Sequence, residues 1–291
     1  MTAELTSRGV RRVLGITLLL NIAVSAAKIL VGTLANSMAM VADGFHSLTD
    51  GGNNVVGLVI TGYAYAPPDE GHPYGHRKFE TAATLAIALA LLSVAYHVIA
   101  QALSRSAEAA VPEIGPLAWA VMVVTLVVNM FVASYEARQG RKLQSSYLIA
   151  DSAHTRSDIY VTLGVIASFA GARAGVVWMD GLVSIGIAVF IAYLGVQILV
   201  GSFHTLTDRA MIPGDTLSKV VMDVPGVQHC REIRTRGGPG AVYVDMIVHV
   251  DGQMSLRAAH DVADRIEEAV MSNHPEIVDV VVHLEPAERR R

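Results

Sequence analysis

Two stretches of the chain carry the same arrangement of metal-ligating residue types. Ala42-Asp43-Gly44-Phe45-His46-Ser47-Leu48-Thr49-Asp50 and Ala150-Asp151-Ser152-Ala153-His154-Thr155-Arg156-Ser157-Asp158 share the string Ala-Asp-x-x-His-[Ser/Thr]-x-[Ser/Thr]-Asp. On a helix, residues four apart are neighbours on one face, so each copy offers an imidazole and a carboxylate together. Two such helices packed against each other supply His46, Asp50, His154 and Asp158 as four ligands for a divalent cation. Two imidazoles and two carboxylates suit tetrahedral Zn²⁺, with iron, cobalt, cadmium or manganese left open. The competing reading is packing, with His and Asp bonding across helices to hydroxyls or backbone groups. Duplication of the whole string argues against it. Asp43 and Asp151, one turn from each His, are either entrance ligands or outer acceptors that orient the imidazole.

The segments that hold these copies are apolar. Of the 291 residues, 52% are hydrophobic and 16% charged, and the apolar ones crowd into the first 200 or so positions. A bilayer core of about 30 Å needs about 20 apolar residues per helix, and six segments meet that: about 13–34, 38–62, 80–104, 116–137, 147–171 and 176–200. The first follows Arg8, Arg11 and Arg12 but runs on past Gly32 and is followed by further spans, so it reads as a transmembrane helix rather than a secretory signal. Ionisable groups inside a membrane cost at least about 2.5 kcal/mol each on insertion scales and mark ion paths. Here that cost falls twice, at matching positions.

Arg8, Arg11 and Arg12, then Arg77 and Lys78, then Arg138, Arg141 and Lys142 lie before span one and in every second loop, all on one side, opposite loops that hold Arg105 and Arg173. The positive-inside rule therefore expects both ends and the basic loops in the cytoplasm, with the chain in a bacterial cytoplasmic membrane. A net charge of −4 gives no basic signature for nucleic-acid binding, and Cys230, the sole cysteine, excludes an internal disulfide or a Cys-rich zinc cluster.

Beyond Asp208 the pattern becomes that of a soluble domain. A helix is expected at about 213–223, strands near 228–236 and 241–251, a helix over about 255–272 and a strand near 277–285. The predicted architecture is a six-helix membrane bundle over 1–207 followed by an αββαβ domain over 208–291, a small sheet with two helices on one face.

The six spans, the paired His-x-x-x-Asp, the loop Gly71-His72-Pro73-Tyr74-Gly75-His76-Arg77-Lys78 and the αββαβ tail together resemble the cation diffusion facilitator family, which includes zinc transporters. The resemblance implies export of divalent metal from the cytoplasm in exchange for protons, by a homodimer with a metallochaperone-like cytoplasmic domain. It implies a transport site at His46, Asp50, His154 and Asp158, and the His form at position 46 goes with zinc preference. It also implies that spans one, two, four and five line the path, with three and six at its side. Asp69, His72 and His76 are then a candidate loop site, against an ordinary polar loop. Asp245, His260 and His283 are a candidate site in the tail, where Arg231 and Ile247 replace histidines of the usual pattern.

Metal binds only deprotonated ligands, and histidine titrates near neutrality, so His46 and His154 are expected to carry the exchanged protons. The rival is a transport-inactive membrane metal sensor or assembly scaffold, against which the intact four-ligand set argues. Four protein ligands with no recognisable nucleophile or general-base motif argue against an enzyme. Of the other polar residues in or near spans, Asn21, Lys28, Asn53, Asn129, His97, Gln101 and Glu136 read as packing or interfacial groups. Asn54, one turn from Asp50, is the one to test.

Overall fold

The computed structural model describes residues 3–34, 38–104, 116–173 and 179–287, and among them the side chains of Asp43, His46 and Asp50 lie outside what is described. Six long helices come first: α1 Ala3–Leu34, α2 Met38–Ala64, α3 Lys78–Ser104, α4 Pro116–Leu143, α5 Ser146–Arg173 and α6 Met179–Leu206. Several outrun the apolar segments that announce them. α1 begins ten residues before its expected span, and α4 and α6 each end six residues after theirs. The added turns of α1 and α4 are rich in Arg and other polar residues, since a helix can project from a bilayer once its backbone is already hydrogen-bonded internally, whereas those of α6 carry Phe203 and Leu206 and extend its apolar span. Among the described residues α1, α3, α4 and α6 are long and apolar enough to cross a membrane by length and composition alone. α2 and α5 are the two helices that hold the repeated motif.

The helical unit buries a set of polar groups beside an apolar core of Val10, Leu14, Ile87, Leu91, Leu148 and Ile191, and exposes apolar side chains. Thr17, Ser25, Lys28, Ser47, Asn54, Glu136, Asp151, Ser152, His154 and Ser157 are buried, whereas Leu19, Leu30, Leu89, Val124, Val127, Phe131, Val189 and Tyr193 are exposed. Lipid tails accept those apolar groups, and the interior polar groups find partners across helices. α1 packs on α2 and α4, and α5 packs on α3 and α4. Small residues set the approach: a Cβ on Gly44 would stand 2.6 Å from Ile29 Cγ1, and one on Gly140 would stand 3.0 Å from Ile149 Cγ1 and Leu148 Cβ. α6 meets α3 at Gly195, 3.1 Å from Leu92 on the same measure.

A second compact unit begins near Phe203. It contains α7 Gly214–Met222, β1 Val227–Gly238, β2 Ala241–Val250, α8 Leu256–Asn273 and β3 Ile277–Pro286. The sheet order is β1-β2-β3, with β1 and β2 antiparallel and β2 and β3 parallel. Along β2, Val242, Val244, Met246, Val248 and Val250 are buried and pack with Leu217 and Val221 of α7 and Val262, Ile266 and Val270 of α8. Strand side chains alternate between faces, so Tyr243, Asp245, Ile247 and His249 take the face without helices. Ser255 caps α8, its Oγ accepting from the Ala258 amide at 3.2 Å. The architecture is a helical membrane domain joined to an αββαβ domain.

Candidate metal centre

The start of α5 is held by groups from α3. Ser145 Oγ accepts from the Leu148 amide at 3.3 Å and donates to Glu80 Oε1 at 2.5 Å, while Glu80 Oε1 also accepts from the Tyr147 amide at 3.2 Å. Two of the amides that an α-helix leaves unpaired at its first turn are thus satisfied. Because a short loop joins the end of α2 to the start of α3, α2 runs toward this end of the bundle and α5 runs away from it. The Tyr147 hydroxyl then donates to the Asn53 carbonyl at 2.6 Å. Gly57 makes room for that ring: a Cβ there would run into it.

One turn further into the bundle, Asn54 Nδ2 donates to Asp151 Oδ2 at 2.9 Å and to Thr17 Oγ1 at 3.2 Å, and Asn21 Nδ2 donates to Asn54 Oδ1 at 2.8 Å. This Asn54–Asp151 bond fixes the register of the antiparallel helices α2 and α5. Four residues back along α2, about 6 Å, is Asp50; three residues on along α5, about 4.5 Å, is His154. A further four residues on each helix reach His46 and Asp158. The two copies therefore stack in opposite order, with the position of Asp50 level with that of His154, and that of His46 level with that of Asp158.

His154 is buried and Asp158 half-buried. The hydroxyls of the second copy turn back onto their own helix, Ser157 to the His154 carbonyl at 2.7 Å and Thr155 to the Asp151 carbonyl at 3.2 Å. Those hydroxyls are therefore satisfied locally. In the first copy, Ser47 Oγ instead accepts from Lys28 Nζ at 2.8 Å, and the Gly44 carbonyl accepts from Ser25 at 2.7 Å. His46 and Asp50 contribute their helical positions only, their side chains lying outside the described residues. Asp151 serves as acceptor for Asn54. Asp43 lies outside the described side chains too.

Glu136, read from the sequence as an interfacial or packing group, is fully buried on α4. Asp151, Thr17 and Thr155 are among its polar neighbours. Arg138, Arg141 and Lys142 follow it within two turns and make it look like the edge of a cytoplasmic loop. α4 continues as a helix past all three, which draws Glu136 inward.

The loop residues converge. Asp69, His72 and His76 bring one ligand atom each to within 4.8 Å of one another. His76 Nε2 lies 3.2 Å from Asp69 Oδ2, His72 Nδ1 3.3 Å from Asp69 Oδ1, and the two rings 4.4 Å apart. Gly75, at φ 81°, closes the turn, with its amide donating to the His72 carbonyl at 2.8 Å. Donation from the His72 amide to Asp69 Oδ1 at 2.7 Å holds the Asp69 carboxyl below the usual carboxylate range. It is therefore ready as an anionic ligand. Burial of the neighbouring Tyr65 hydroxyl, with Glu80 nearby, pushes its pKa up to about 12. Its ring lies 4.0 Å beneath the Arg77 guanidinium.

The tail residues are arranged differently. Asp245 and His283 lie on the open face of the sheet, while His260 is exposed on α8, across the sheet from them. Within one chain His260 cannot meet the other two, because a β-sheet and its core stand between. Helical periodicity had shown that α8 forms but not that its polar side points away from the strand residues. Arg231 occupies the open face instead: its Nη2 donates to Glu285 Oε2 at 2.6 Å and its Nε to His249 Nε2 at 2.9 Å. That bond holds the Glu285 carboxyl below its usual range. His283 Nε2 is 3.7 Å from Glu285 Oε1.

A polar-cored helical membrane unit with a duplicated His/Asp pair, a metal-shaped loop and a small αββαβ domain defines an integral-membrane metal-ion carrier. The chain matches the cation efflux transmembrane domain over residues 14–207 and the cytoplasmic domain of cation efflux proteins over 214–287. It belongs to the cation efflux family, and is thus a multi-pass divalent-cation efflux transporter rather than an enzyme. It is 30% identical to the manganese efflux system protein MneS of Bacillus subtilis, over 91% of this chain and 92% of that one. It is 31% identical to metal tolerance protein C1 of Arabidopsis thaliana over 92% of this chain, which spans 60% of that relative's length. It is 27% identical to the cation-efflux pump FieF of Pectobacterium atrosepticum, over 86% and 84%. A solved structure of the MamM-CTD aligns with 25% of this chain and 92% of its own, at 25% identity and TM-score 0.24.

Proposed function

We infer that the chain exports zinc from the cytoplasm in exchange for protons, as a homodimer, with His46, Asp50, His154 and Asp158 as the transport ligands. The observation that carries this reading is the Asn54–Asp151 bond, which supports pairing one His position with one Asp position at each of two adjacent levels of α2 and α5. Two nitrogen and two oxygen donors fit tetrahedral zinc. The same ligands must lose protons to bind metal, so a site that alternately faces each side returns protons whenever it returns without metal. The match to a cytoplasmic efflux-protein domain supports the dimer. The excess of Arg and Lys in the loops next to α2, α3, α4 and α5 supports cytoplasmic ends in a bacterial cytoplasmic membrane.

Manganese is the second reading, favoured by the identity to a relative named for manganese efflux. One experiment separates the two: uptake of Zn²⁺, Fe²⁺, Mn²⁺, Cd²⁺ and Co²⁺ into proteoliposomes, with and without a pH gradient, for the native chain and His46→Asp. Zinc preferred by the native chain, driven by an opposing proton gradient and lost faster than cadmium in the variant, supports the first reading. Manganese preferred by the native chain supports the second. Uptake indifferent to the gradient removes the antiport.

A further inference from the structure

We propose that Glu136 and Asp151, joined by the Asn54 amide oxygen once that side chain turns, form a second divalent-cation position of oxygen ligands, one turn on the cytoplasmic side of the four-ligand site. The proposal rests on the reading that the His/Asp repeat carries the ion. It begins from Glu136, which is 0% exposed. The hydroxyls of Thr17 and Thr155 face it but donate to the carbonyls of Leu14 and Asp151, so among the described residues neither carboxylate oxygen accepts a hydrogen bond of ordinary geometry. A buried polar group without a hydrogen bond is costly, and a buried carboxylate more so. Such a group inside a membrane protein faces an ion path or a partner.

The second observation is what stands beside it. Asp151, 3% exposed, is the neighbouring carboxylate, and its Oδ2 accepts from Asn54 at 2.9 Å. Asn54 is itself held at the other end by Asn21, and Thr17 and Thr155 close the surroundings with hydroxyls. α1, α2, α4 and α5 each contribute to this cluster, so all four helices proposed to line the path meet there. A rotation of the Asn54 side chain away from Asp151 frees a carboxylate oxygen and presents an amide oxygen to the same space.

The place of the cluster gives it a role. Asp151 precedes His154 by three residues on a helix that starts at the cytoplasmic end, so an ion from the cytoplasm reaches this level before the imidazoles. Oxygen-only ligands favour hard cations and release them readily to a site that adds nitrogen donors. The cluster would thus admit manganese as well as zinc, leaving discrimination to the histidines.

The test uses full-length chain in lipid nanodiscs with the loop ligands removed by His72→Ala and His76→Ala, and Mn²⁺ as the probe. In a further His46→Ala/His154→Ala background, one Mn²⁺ per chain should remain, with no nitrogen coupling from histidine in its electron-spin-echo spectrum. Adding Glu136→Gln should weaken that binding at least tenfold, whereas Glu136→Asp should retain it. Glu136→Gln with both histidines present should keep a nitrogen-coupled ion, which shows that the variant folds. No oxygen-only ion in the histidine-free chain, or binding unaffected by Glu136→Gln, overturns the proposal. Native transport after His154→Ala would instead overturn the reading beneath it.

Discussion

His154 is the one imidazole of the repeat whose burial is described, and Asp158 follows it by one turn on the same face of α5. Replacing His154 with Ala should lower zinc uptake at least tenfold while leaving the protein folded, as isothermal binding and uptake on one preparation would show. In the loop, His76→Ala should remove one bound zinc per chain and leave the four-ligand site occupied, read by metal content after dialysis. In the tail, the native Glu285 carboxyl should titrate below the ordinary Glu value of about 4.3, because Arg231 bonds its charged form. The stabilisation this pair gives is present above that ordinary value and fades as pH falls through the lowered one. Arg231→Ala should move the titration, followed by the carboxyl-carbon chemical shift, back up. At this scale the His/Asp repeat was legible because duplication in apolar surroundings is a rare pattern. Glu136 was not, because three cationic residues beyond it imitate a loop.

Between elements, α2 and α5 meet chiefly through two hydrogen bonds, Asn54 to Asp151 and Tyr147 to the Asn53 carbonyl, and the second depends on a glycine. Gly57→Val should force α2 off the Tyr147 ring, breaking the hydroxyl bond to Asn53 and shifting the register by which the repeats meet. Zinc affinity should fall by roughly 10- to 100-fold, as when groups that orient metal ligands are lost. Comparison with Tyr147→Phe, which removes the bond and keeps the packing, checks the cause: it should cost less. Helix number and order were readable from apolar runs, and the αββαβ order from the switch between periods of 3.6 and 2. The register was not readable, since it depends on Asn54 reaching Asp151 across 97 positions of sequence. Nor was the direction of His260, because amphipathicity orients a helix only toward its core. The polar ends of α1 and α4 escaped a hydropathy reading for the same reason: composition marks the lipid boundary and not the end of a helix.

The whole molecule combines a carrier with a small domain that shares its membership of one family of efflux proteins. Its carrier half encloses a set of polar groups within the helices and turns apolar side chains outward, so ligands for a cation can sit where lipid would exclude them. The two copies of the motif run along antiparallel helices, an arrangement that would give an ion held between them similar surroundings as seen from either membrane face and that suits alternating access. The central claim is that this repeat both carries the metal and returns the protons. It is tested most directly by recording zinc uptake and internal pH together in proteoliposomes holding the native chain, His154→Ala or Asp158→Asn. Zinc entry accompanied by proton exit in the native chain, with both fluxes lost together in either variant, is the expected result. Zinc uptake at the native rate in either variant would contradict the claim.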